Sequence, residues 1–372
     1  MRRSVAFCLI LLVAFLSLSS TVGSEEPLER GVEGDTLAQK RSGWLFFPIL
    51  FYSPETKTGF GAGVGYFFRE PGSATASRPS TILSNFIYTQ KKQIVTNLLA
   101  DLYLKDEAYN LSGQFTYLKF PDKFYGIGND TADDAEEDFT PEQMQILIKT
   151  QIRLLPGLYL GPLYEFYKSE LLVIENEGLL ASGDILGSEG GKASCLGVQA
   201  NLDTRDNVYY PSKGGYHQLS ASLFSDDLGG DYNFKRYIAD LRQYVPVFSS
   251  HVLAFQAYGR STNGDVPFQL LSRLGGSVMM RGYYEGRYRA YDALIFQTEY
   301  RFPAWRRFGL AVFAGIGDVS SKMTKLRMRD FKVSLGFGVR YLFVPEEKIN
   351  LRFDFGFGKG TSGFYIDFTE AF

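Results

Sequence analysis

Apolar and polar residues alternate with a period of two along almost the whole chain after Trp44. Between residues 60 and 68 the even positions are apolar and the odd positions are mostly glycine. In the segment 94–104, Leu98 and its even-numbered neighbours share one face, while Asn97 and Asp101 share the other. Successive side chains of a strand point to opposite sides, so this pattern predicts strands with one apolar and one polar face. Strands of a membrane-spanning β-barrel have that pattern, with lipid outside and an aqueous lumen inside.

The alternation predicts sixteen strands, an even number such as single-chain barrels prefer. The predicted strands cover residues 43–52, 57–69, 80–90, 92–105, 108–120, 141–154, 157–172, 194–205, 214–226, 232–245, 250–262, 290–303, 305–317, 328–344, 347–358 and 361–372. With a periplasmic N-terminus, the long connections at 121–141, 169–193 and 262–289 are extracellular, and periplasmic turns such as Pro156 and Gly157 are short. This asymmetry is typical of outer-membrane barrels. We therefore predict an all-β fold, an antiparallel transmembrane β-barrel of about sixteen strands over residues 43–372.

The C-terminus ends on an aromatic residue, as outer-membrane strands often do. In the last predicted strand, Phe364, Ile366, Phe368 and Phe372 fall on the same face, and Glu370 interrupts it. The spacing predicts a last strand that runs to Phe372 and closes on this terminal aromatic residue.

The N-terminus has the features of a bacterial export signal. Arg2 and Arg3 precede an apolar stretch at 5–18, and small residues around Gly23 offer a cleavage site. We predict a cleaved signal peptide at 1–24 and a short periplasmic leader at 25–42. The apolar stretch is too short for a membrane-spanning helix, and the leader is shorter than the roughly 40 residues that a small domain needs to fold. We expect export and residence in the bacterial outer membrane.

Composition argues against several classes of function. The formal net charge of −2 becomes −4 once Arg2 and Arg3 leave with the signal, which argues against a nucleic-acid partner. The chain has two histidines, and Cys195 is its only cysteine outside the signal peptide. A zinc site of the usual kinds and an intramolecular disulfide are therefore not expected. Histidine scarcity also removes the usual general base, so we predict no enzyme, no cofactor and no metal.

Three other patterns have a functional and a structural interpretation, and in each we prefer the structural one. The acidic cluster at 130–138 could bind Ca²⁺, but a solvated extracellular loop is the preferred interpretation. The glycines at 358–363 match a dinucleotide-type spacing, but a strand rather than a helix follows them. The inward-facing pair Asp240 and Arg242 could line an ion path, but we interpret it as a neutralised part of the lumen wall.

Two segments go beyond a generic barrel pattern. Residues 203–216, which read DTRDNVYYPSKGGY, join the eighth and ninth predicted strands. Residues 274–289, in the sixth extracellular loop, read LGGSVMMRGYYEGRYR. Both closely resemble the bacterial surface antigen family, the barrel of BamA/TamA-like proteins, and residues 299–303 resemble its twelfth strand. The resemblance covers essentially the whole chain after the signal peptide.

The resemblance assigns a structural role to the Arg-Gly-Tyr loop. In this family the loop folds back into the lumen, and its arginine pairs with acidic groups on the inner wall. The resemblance thus implies a lumenal loop lock made by Arg281, Gly282 and Tyr283. An arginine can hold a fixed bidentate partner, and a glycine permits a sharp chain reversal. The period-two pattern points Glu299 and Asp354 inward, so either could be the acidic partner.

The sequence also departs from the family pattern. The family often shows an aspartate where Gly315 stands, and Glu299 or Asp354 would substitute for it; Arg340 also points inward. BamA-like proteins carry periplasmic substrate-receiving (POTRA) domains before the barrel, and the leader at 25–42 is too short to hold one.

The resemblance implies a function in outer-membrane biogenesis or protein translocation and assembly. The barrel would be surrounded by outer-membrane lipids and would work with a separate periplasmic partner or a client outer-membrane protein. The alternative is a passive channel or a structural barrel, since sixteen strands can enclose an aqueous lumen.

Overall fold

The computed structural model describes residues 42–53, 57–70, 78–345 and 347–372. Residues 1–41, with the predicted signal peptide and almost all of the predicted leader, lie outside this part of the chain. The strands are β1 Ser42–Ser53, β2 Lys57–Phe68, β3 Ser80–Thr89, β4 Ile94–Leu104, β5 Tyr109–Lys119, β6 Asp122–Phe124, β7 Glu137–Leu155, β8 Leu158–Val173, β9 Gly191–Asp203, β10 Gly214–Phe224, β11 Phe234–Phe248, β12 His251–Gly264, β13 Ser272–Leu274, β14 Tyr288–Ala290, β15 Asp292–Trp305, β16 Phe308–Ser320, β17 Lys332–Val344, β18 Ile349–Gly358 and β19 Thr361–Phe368. Four single-turn 3-10 helices lie in the connections, and no helix of the described residues could span a membrane.

The sixteen long strands form one antiparallel sheet in which each pairs with the next along the chain. The predicted fold and strand number are confirmed, and most predicted boundaries lie within four residues of the observed ones. The short strands β6, β13 and β14 were not predicted. They lie in the long connections at the extracellular end, where three residues are too few to show a period.

The first and last long strands lie next to each other. Within the described residues no backbone ladder joins β1 to β19. However, the ring centroids of Phe47 in β1 and Phe368 in β19 are 4.7 Å apart. The sheet therefore curves round into a barrel whose two edges meet through side chains.

The two faces of the wall differ as the alternation predicts. On β4 and β10, Leu98 is 44% exposed and Leu219 is 55% exposed. On β8 and β18, Glu165 and Asp354 point inward and are 2% and 0% exposed. A water-soluble protein would not present so many large apolar side chains to solvent, but lipid accepts them.

The end of the chain departs from the prediction. The last strand stops at Phe368, and Thr369 adopts the left-handed conformation with φ +62°. The chain then turns inward, so that Phe372 is 3% exposed and packs with Tyr244 and Val252. The prediction that the last strand runs to Phe372, on the same face as Phe368, is therefore wrong, because the turn at Thr369 breaks the alternation.

The acidic cluster is solvated as predicted, except at Glu137. Strand β7 begins at Glu137, within the cluster, and Glu137 is 8% exposed. Its carboxylate accepts hydrogen bonds from the backbone amides of Leu179 (2.6 Å) and Leu180 (3.1 Å). Glu137 therefore connects two extracellular connections, whereas Asp133 and Asp134 are exposed.

Side chains fill the lumen at three levels. At the extracellular end an apolar cluster contains Phe124, Phe224 and Phe268, among others, with the rings of Phe124 and Phe268 5.1 Å apart. A second cluster, which includes Leu274 and Met280, lies below it. The third cluster, with Phe372, lies at the periplasmic end. Sixteen strands leave room for water, and in this barrel much of that room is taken by the chain itself.

Candidate functional site

The connection at 265–291, which we call the lumenal loop, folds into the barrel between β12 and β15. Leu274, Met280 and Tyr283 are at most 2% exposed, although they belong to an extracellular connection. Strands β13 and β14 pair as a short hairpin within the loop. The backbone amide of Gly128 donates a 2.8 Å hydrogen bond to the carbonyl of Arg289, which ties the loop to the connection at 120–136.

Arg281 lies inside the barrel and is 1% exposed. Its Nη2 donates to Oε2 of Glu299 on β15 at 2.6 Å, and its Nη1 donates to Oδ2 of Asp354 on β18. The guanidinium also lies 3.4 Å from the ring centroid of Phe313 on β16. The backbone carbonyl of Arg281 accepts a hydrogen bond from the Ser334 hydroxyl on β17. One loop residue thus contacts four consecutive strands of the wall.

Both carboxylates are shared with further arginines of the wall. Oε1 of Glu299 accepts from Arg301 Nε at 2.8 Å and from Arg340 Nη2 at 3.2 Å. Asp354 accepts from Arg340 Nη1 at 2.5 Å and from Arg352 Nη1 at 2.8 Å. Each acid therefore meets three arginines, including the one from the lumenal loop.

Two acids near the C-terminus complete the charge balance. Glu370 accepts from Arg340 Nε at 2.8 Å and lies 3.5 Å from Arg301 Nε. Asp367 accepts from Arg352 Nη2 at 3.0 Å. We call the following eight side chains the arginine cluster: Arg281, Arg301, Arg340, Arg352, Glu299, Asp354, Asp367 and Glu370. With four positive and four negative groups, the arginine cluster is formally neutral.

Burial makes this cluster sensitive to the loss of any member except Asp367, whose side chain is 43% exposed. Removing one partner of a buried ion pair typically costs about 3–5 kcal/mol, because it leaves an uncompensated buried charge. Glu299 and Asp354 are both 0% exposed, so neither can replace a lost arginine with water. The geometry therefore favours a lumenal loop that is either fully seated or fully displaced.

Gly282 allows the loop to approach the backbone of β18. Its φ is +111°, and an added Cβ would lie 2.5 Å from the backbone nitrogen of Phe357. On the opposite side, a Cβ on Gly356 would lie 2.5 Å from the carbonyl carbon of Arg281. Gly282 of the loop thus lies directly against Gly356 of the wall, and only residues without a side chain fit there.

Tyr283, the next residue of the lumenal loop, binds to β17 and to the turn between β18 and β19. It is 2% exposed, and its hydroxyl donates to the carbonyl of Val333 at 3.0 Å. The same hydroxyl accepts from the backbone amide of Lys359 at 3.0 Å, in the turn between β18 and β19. That turn follows the pattern of a glycine-rich loop between strands, with Gly360 at φ +72°.

The departure at Gly315 has a local explanation. An added Cβ at Gly315 would lie 3.1 Å from the sulfur of Met280 in the lumenal loop. The backbone amide of Met280 donates to Oε1 of Gln297 on β15 at 2.8 Å. In this chain Met280 therefore takes the space beside Gly315, and the acids stand on β15 and β18 instead.

The structure brings Arg281, Gly282, Tyr283, Glu299 and Asp354 together in one place. The sequence left Glu299 and Asp354 as alternatives, and Arg281 contacts both. Sequence reasoning missed the following members and neighbours of the site: Arg301, Arg352, Asp367, Glu370, Phe313 and Ser334. Arg301 and Arg352 could have been found, since each lies two residues from an inward acid on the same strand.

A further buried arginine in the lumenal loop has no carboxylate against it. Arg289 is 1% exposed and donates to two backbone carbonyls, of Gly286 at 3.3 Å and of Lys123 at 3.1 Å. Its guanidinium lies 5.3 Å from the ring centroid of Phe124. Burial lowers the pKa of Arg289 from its ordinary 12.5 to about 10. Through these hydrogen bonds Arg289 connects the lumenal loop to the connection at 120–136, and it remains charged at neutral pH.

The other candidates form no separate site. Asp240 and Arg242 pair at 2.6 Å on β11, and Gln256 also donates to Asp240 at 2.8 Å, which fits a neutralised wall. In the described ranges no group of three His, Cys, Asp or Glu side chains is placed to hold a metal ion.

Comparisons with known proteins agree with this architecture. Residues 177–372, just over half of the chain, match the model of the Omp85 superfamily domain. BamA from Haemophilus ducreyi lacking POTRA domains 1–3 has a similar structure, with a TM-score of 0.57 and 15% identity over 88% of this chain and 69% of that chain. CdiB from Acinetobacter baumannii gives a TM-score of 0.52 and 12% identity over 87% of this chain and 59% of that one. Among curated proteins, none matches this chain. The structural similarities are similarities of fold.

Proposed function

This chain belongs to the Omp85 superfamily of outer-membrane barrels, and from that premise we propose that it inserts or translocates polypeptides in outer-membrane biogenesis. As a barrel of this superfamily it resides in the bacterial outer membrane. We also propose that it reaches the membrane through a signal peptide cleaved near Glu25.

The observation that carries the proposal is the burial of Arg281 in a neutral cluster inside the lumen. A passive channel needs an open path for water and solutes. Here a loop fastened by Arg281, Glu299 and Asp354 occupies that path, and all three are at most 1% exposed. Such a barrel supports a function in which the lumen is closed at rest and the loop or wall responds to a client.

Within this function, Arg281, Gly282, Tyr283, Glu299 and Asp354 act as the lumenal loop lock. Charge pairing holds the tip of the loop, and the close glycine contact positions the loop backbone. The lock would resist thermal opening, because several buried ion pairs have to separate together. A client or partner that binds the displaced loop would supply the energy for opening.

The proposed function also requires a partner or a client. The chain spans 69% and 59% of the length of the two similar structures. We propose a separate periplasmic protein that delivers the client, or a client outer-membrane protein that binds the barrel directly.

The alternative of a passive channel has one observation in its favour. A cavity of about 280 Å³ remains in the lumen, lined by Asp101, Gln114 and Lys149 among other side chains. Polar side chains around an unfilled space could conduct water or small ions. This cavity lies on the β3–β7 side of the lumen, away from the arginine cluster.

Depletion of the protein discriminates between the two functions. We expect the abundance of several other outer-membrane proteins to fall, measured by quantitative proteomics of membrane fractions. Complementation with Arg306→Ala, an exposed arginine in the turn after β15, should restore them, whereas Arg281→Ala should restore them only in part. Unchanged abundance of the other outer-membrane proteins, together with slower uptake of small solutes, would reject the biogenesis function and support the channel.

A further inference from the structure

The lipid-facing wall of the barrel carries an apolar groove across β8 to β12. The groove has a volume of about 480 Å³. It is lined by small residues of the outer face, such as Ala200, Ala239 and Gly259, in a register row that also contains Leu219. Ala239 pairs with Leu219 on one side and with Gly259 on the other. Side chains of the opposite parity, such as Gln199 and Asp240, are buried in the lumen, so the groove faces outward.

An extracellular connection reaches down over this groove. The connection at 321–331, which we call the basic loop, joins β16 to β17, yet Met323 lines the groove together with Gly259 of β12. To reach β12 the basic loop must cross the outer face of β15, which its first 3-10 turn contacts. The first part of the basic loop therefore lies against the outer wall, near the extracellular ends of β12 and β15.

The basic loop differs in charge from the other extracellular connections near the groove. It contains Lys322, Lys325, Arg327 and Arg329, all exposed, with Asp330 as its only acid. The connection at 174–190 has four acids and no basic residue, and the connection at 225–233 has three acids and no basic residue. Positive charge is thus concentrated on the one loop that lies along the lipid-facing wall.

The apolar residues of the basic loop fit the same location. Met323 is 38% exposed and Met328 is 70% exposed, and both stand between the cationic side chains. Cationic and large apolar side chains together on a polar-apolar boundary are typical of segments that bind at a membrane interface. Clusters of Lys and Arg at such a boundary attract anionic lipid headgroups.

We propose that the groove and the basic loop bind a phosphorylated, multiply acylated lipid of the outer leaflet. The acyl chains would lie in the groove, against Ala200, Ala239 and Gly259, and the basic loop would bind the phosphate groups. At about 4.8 Å between neighbouring strands, a groove across five strands is about 19 Å wide, which is wider than one hydrocarbon chain. The apolar groove and the cationic loop beside it therefore favour an occupant with apolar chains and a compact anionic headgroup.

Lipid binding by the purified full-length protein in detergent tests this proposal. The probes are diphosphoryl lipid A and its dephosphorylated form, with affinities measured by native mass spectrometry. We expect the wild type to bind the phosphorylated probe at least about tenfold more tightly. The variant Lys322→Gln, Lys325→Gln, Arg327→Gln, Arg329→Gln should lose that preference.

A matched control removes two lysines and two arginines from exposed periplasmic turns: Lys105→Gln, Lys213→Gln, Arg306→Gln and Arg307→Gln. It should keep the preference. A second variant, Ala239→Phe with Gly259→Leu, fills the groove with apolar groups that the membrane tolerates. It should weaken binding of both probes while leaving the phosphate preference in place.

Several outcomes would overturn the proposal. One is equal affinity of the wild type for the two probes, and another is an unchanged preference in the basic-loop variant. Complete competition by inorganic phosphate would assign the basic loop to a free anion. A groove-filling variant that binds lipid normally but changes the mass of the protein complex would assign the groove to a second copy of the chain.

Discussion

Arg281 is a charged residue in a place where water cannot reach it, so its carboxylate partners decide whether the lumenal loop stays in the lumen. Each of these partners also contacts Arg340, which links the two acids. Loss of either acid therefore leaves several guanidinium groups short of a counter-charge. The cluster behaves as one unit at this scale, and the effects of single substitutions should not add.

We expect Arg281→Ala to open the lumen. In planar bilayers the wild type should give low, flickering conductance, and Arg281→Ala should give larger and steadier currents. Glu299→Gln and Asp354→Asn should each increase the current, because Arg281 contacts both acids. Arg306→Ala on the exposed turn is the control and should resemble the wild type. Matching currents from the wild type and Arg281→Ala would show that the arginine does not hold the loop.

The sequence placed most, but not all, of these residues. The period of two pointed Glu299, Asp354 and Arg340 inward, and the structure agrees. It could not place Glu370, because the left-handed turn at Thr369 ends the alternation just before it. Seating of Arg281 in the lumen was expected only from the family resemblance, since a loop arginine carries no period of its own.

At the scale of elements, the connection at 204–213 between β9 and β10 forms a layer across the periplasmic end of the lumen. The Tyr209 hydroxyl lies 2.5 Å from Thr81 Oγ1 on β3, and Asn207 Nδ2 donates to the carbonyl of Glu347 before β18 at 3.4 Å. Tyr210 packs against the cluster that contains Phe372. The connection therefore reaches strands on other sides of the barrel.

Asn207 is the residue that shapes this connection. Its Oδ1 accepts hydrogen bonds from the backbone amides of Tyr209 (2.8 Å) and Tyr210 (2.7 Å). Losing these bonds should cost about 1–2 kcal/mol of local stability, as loss of a helix cap does. We expect Asn207→Ala to speed amide hydrogen exchange of residues 204–213 roughly tenfold.

The control for this prediction is Asn176→Ala, in an exposed part of an extracellular connection. It should leave the exchange of residues 204–213 unchanged. Equal protection in Asn207→Ala and the wild type would mean that contacts at the ends of the connection, such as Thr81 with Tyr209, suffice to hold it. The motif at 203–216 was visible in the sequence, but this layer was not predicted, because turns carry no signal for the distant strands that they contact.

At the scale of the whole molecule, the side chains that contact lipid show which face of each strand points outward. Leu98 and Leu99 are neighbours in the middle of β4, with exposures of 44% and 40%. Leu98 lies on the lipid-facing side, whereas Leu99 lines the lumenal cavity with Asp101 and Lys149. Of these two adjacent leucines of similar exposure, one therefore faces lipid and the other faces the lumen.

The same substitution at these two positions should have very different effects. Leu98→Arg near the bilayer midplane should cost about 2–4 kcal/mol. Leu99→Arg should cost less than about 1 kcal/mol, because its charge would lie in the lumenal cavity beside Asp101 and not in lipid. Urea titrations of folding into lipid vesicles measure both. Equal losses of stability would contradict the assignment of Leu98 to the lipid-facing side of β4 and of Leu99 to the lumenal side. They would also contradict the prediction made from the alternation.

The unequal lengths of the strands have a consequence for the surrounding bilayer. Strand β7 has 19 residues and β19 has 8. At about 3.4 Å per residue and a tilt of about 45°, these correspond to wall heights of roughly 46 Å and 19 Å. The apolar band of such barrels is about 25 Å tall, so the wall at β19 is shorter than the hydrocarbon layer it meets. Hydrophobic mismatch of this kind is relieved by thinning the bilayer or by leaning the barrel. We therefore expect the bilayer to be thinner beside β19 than beside β7.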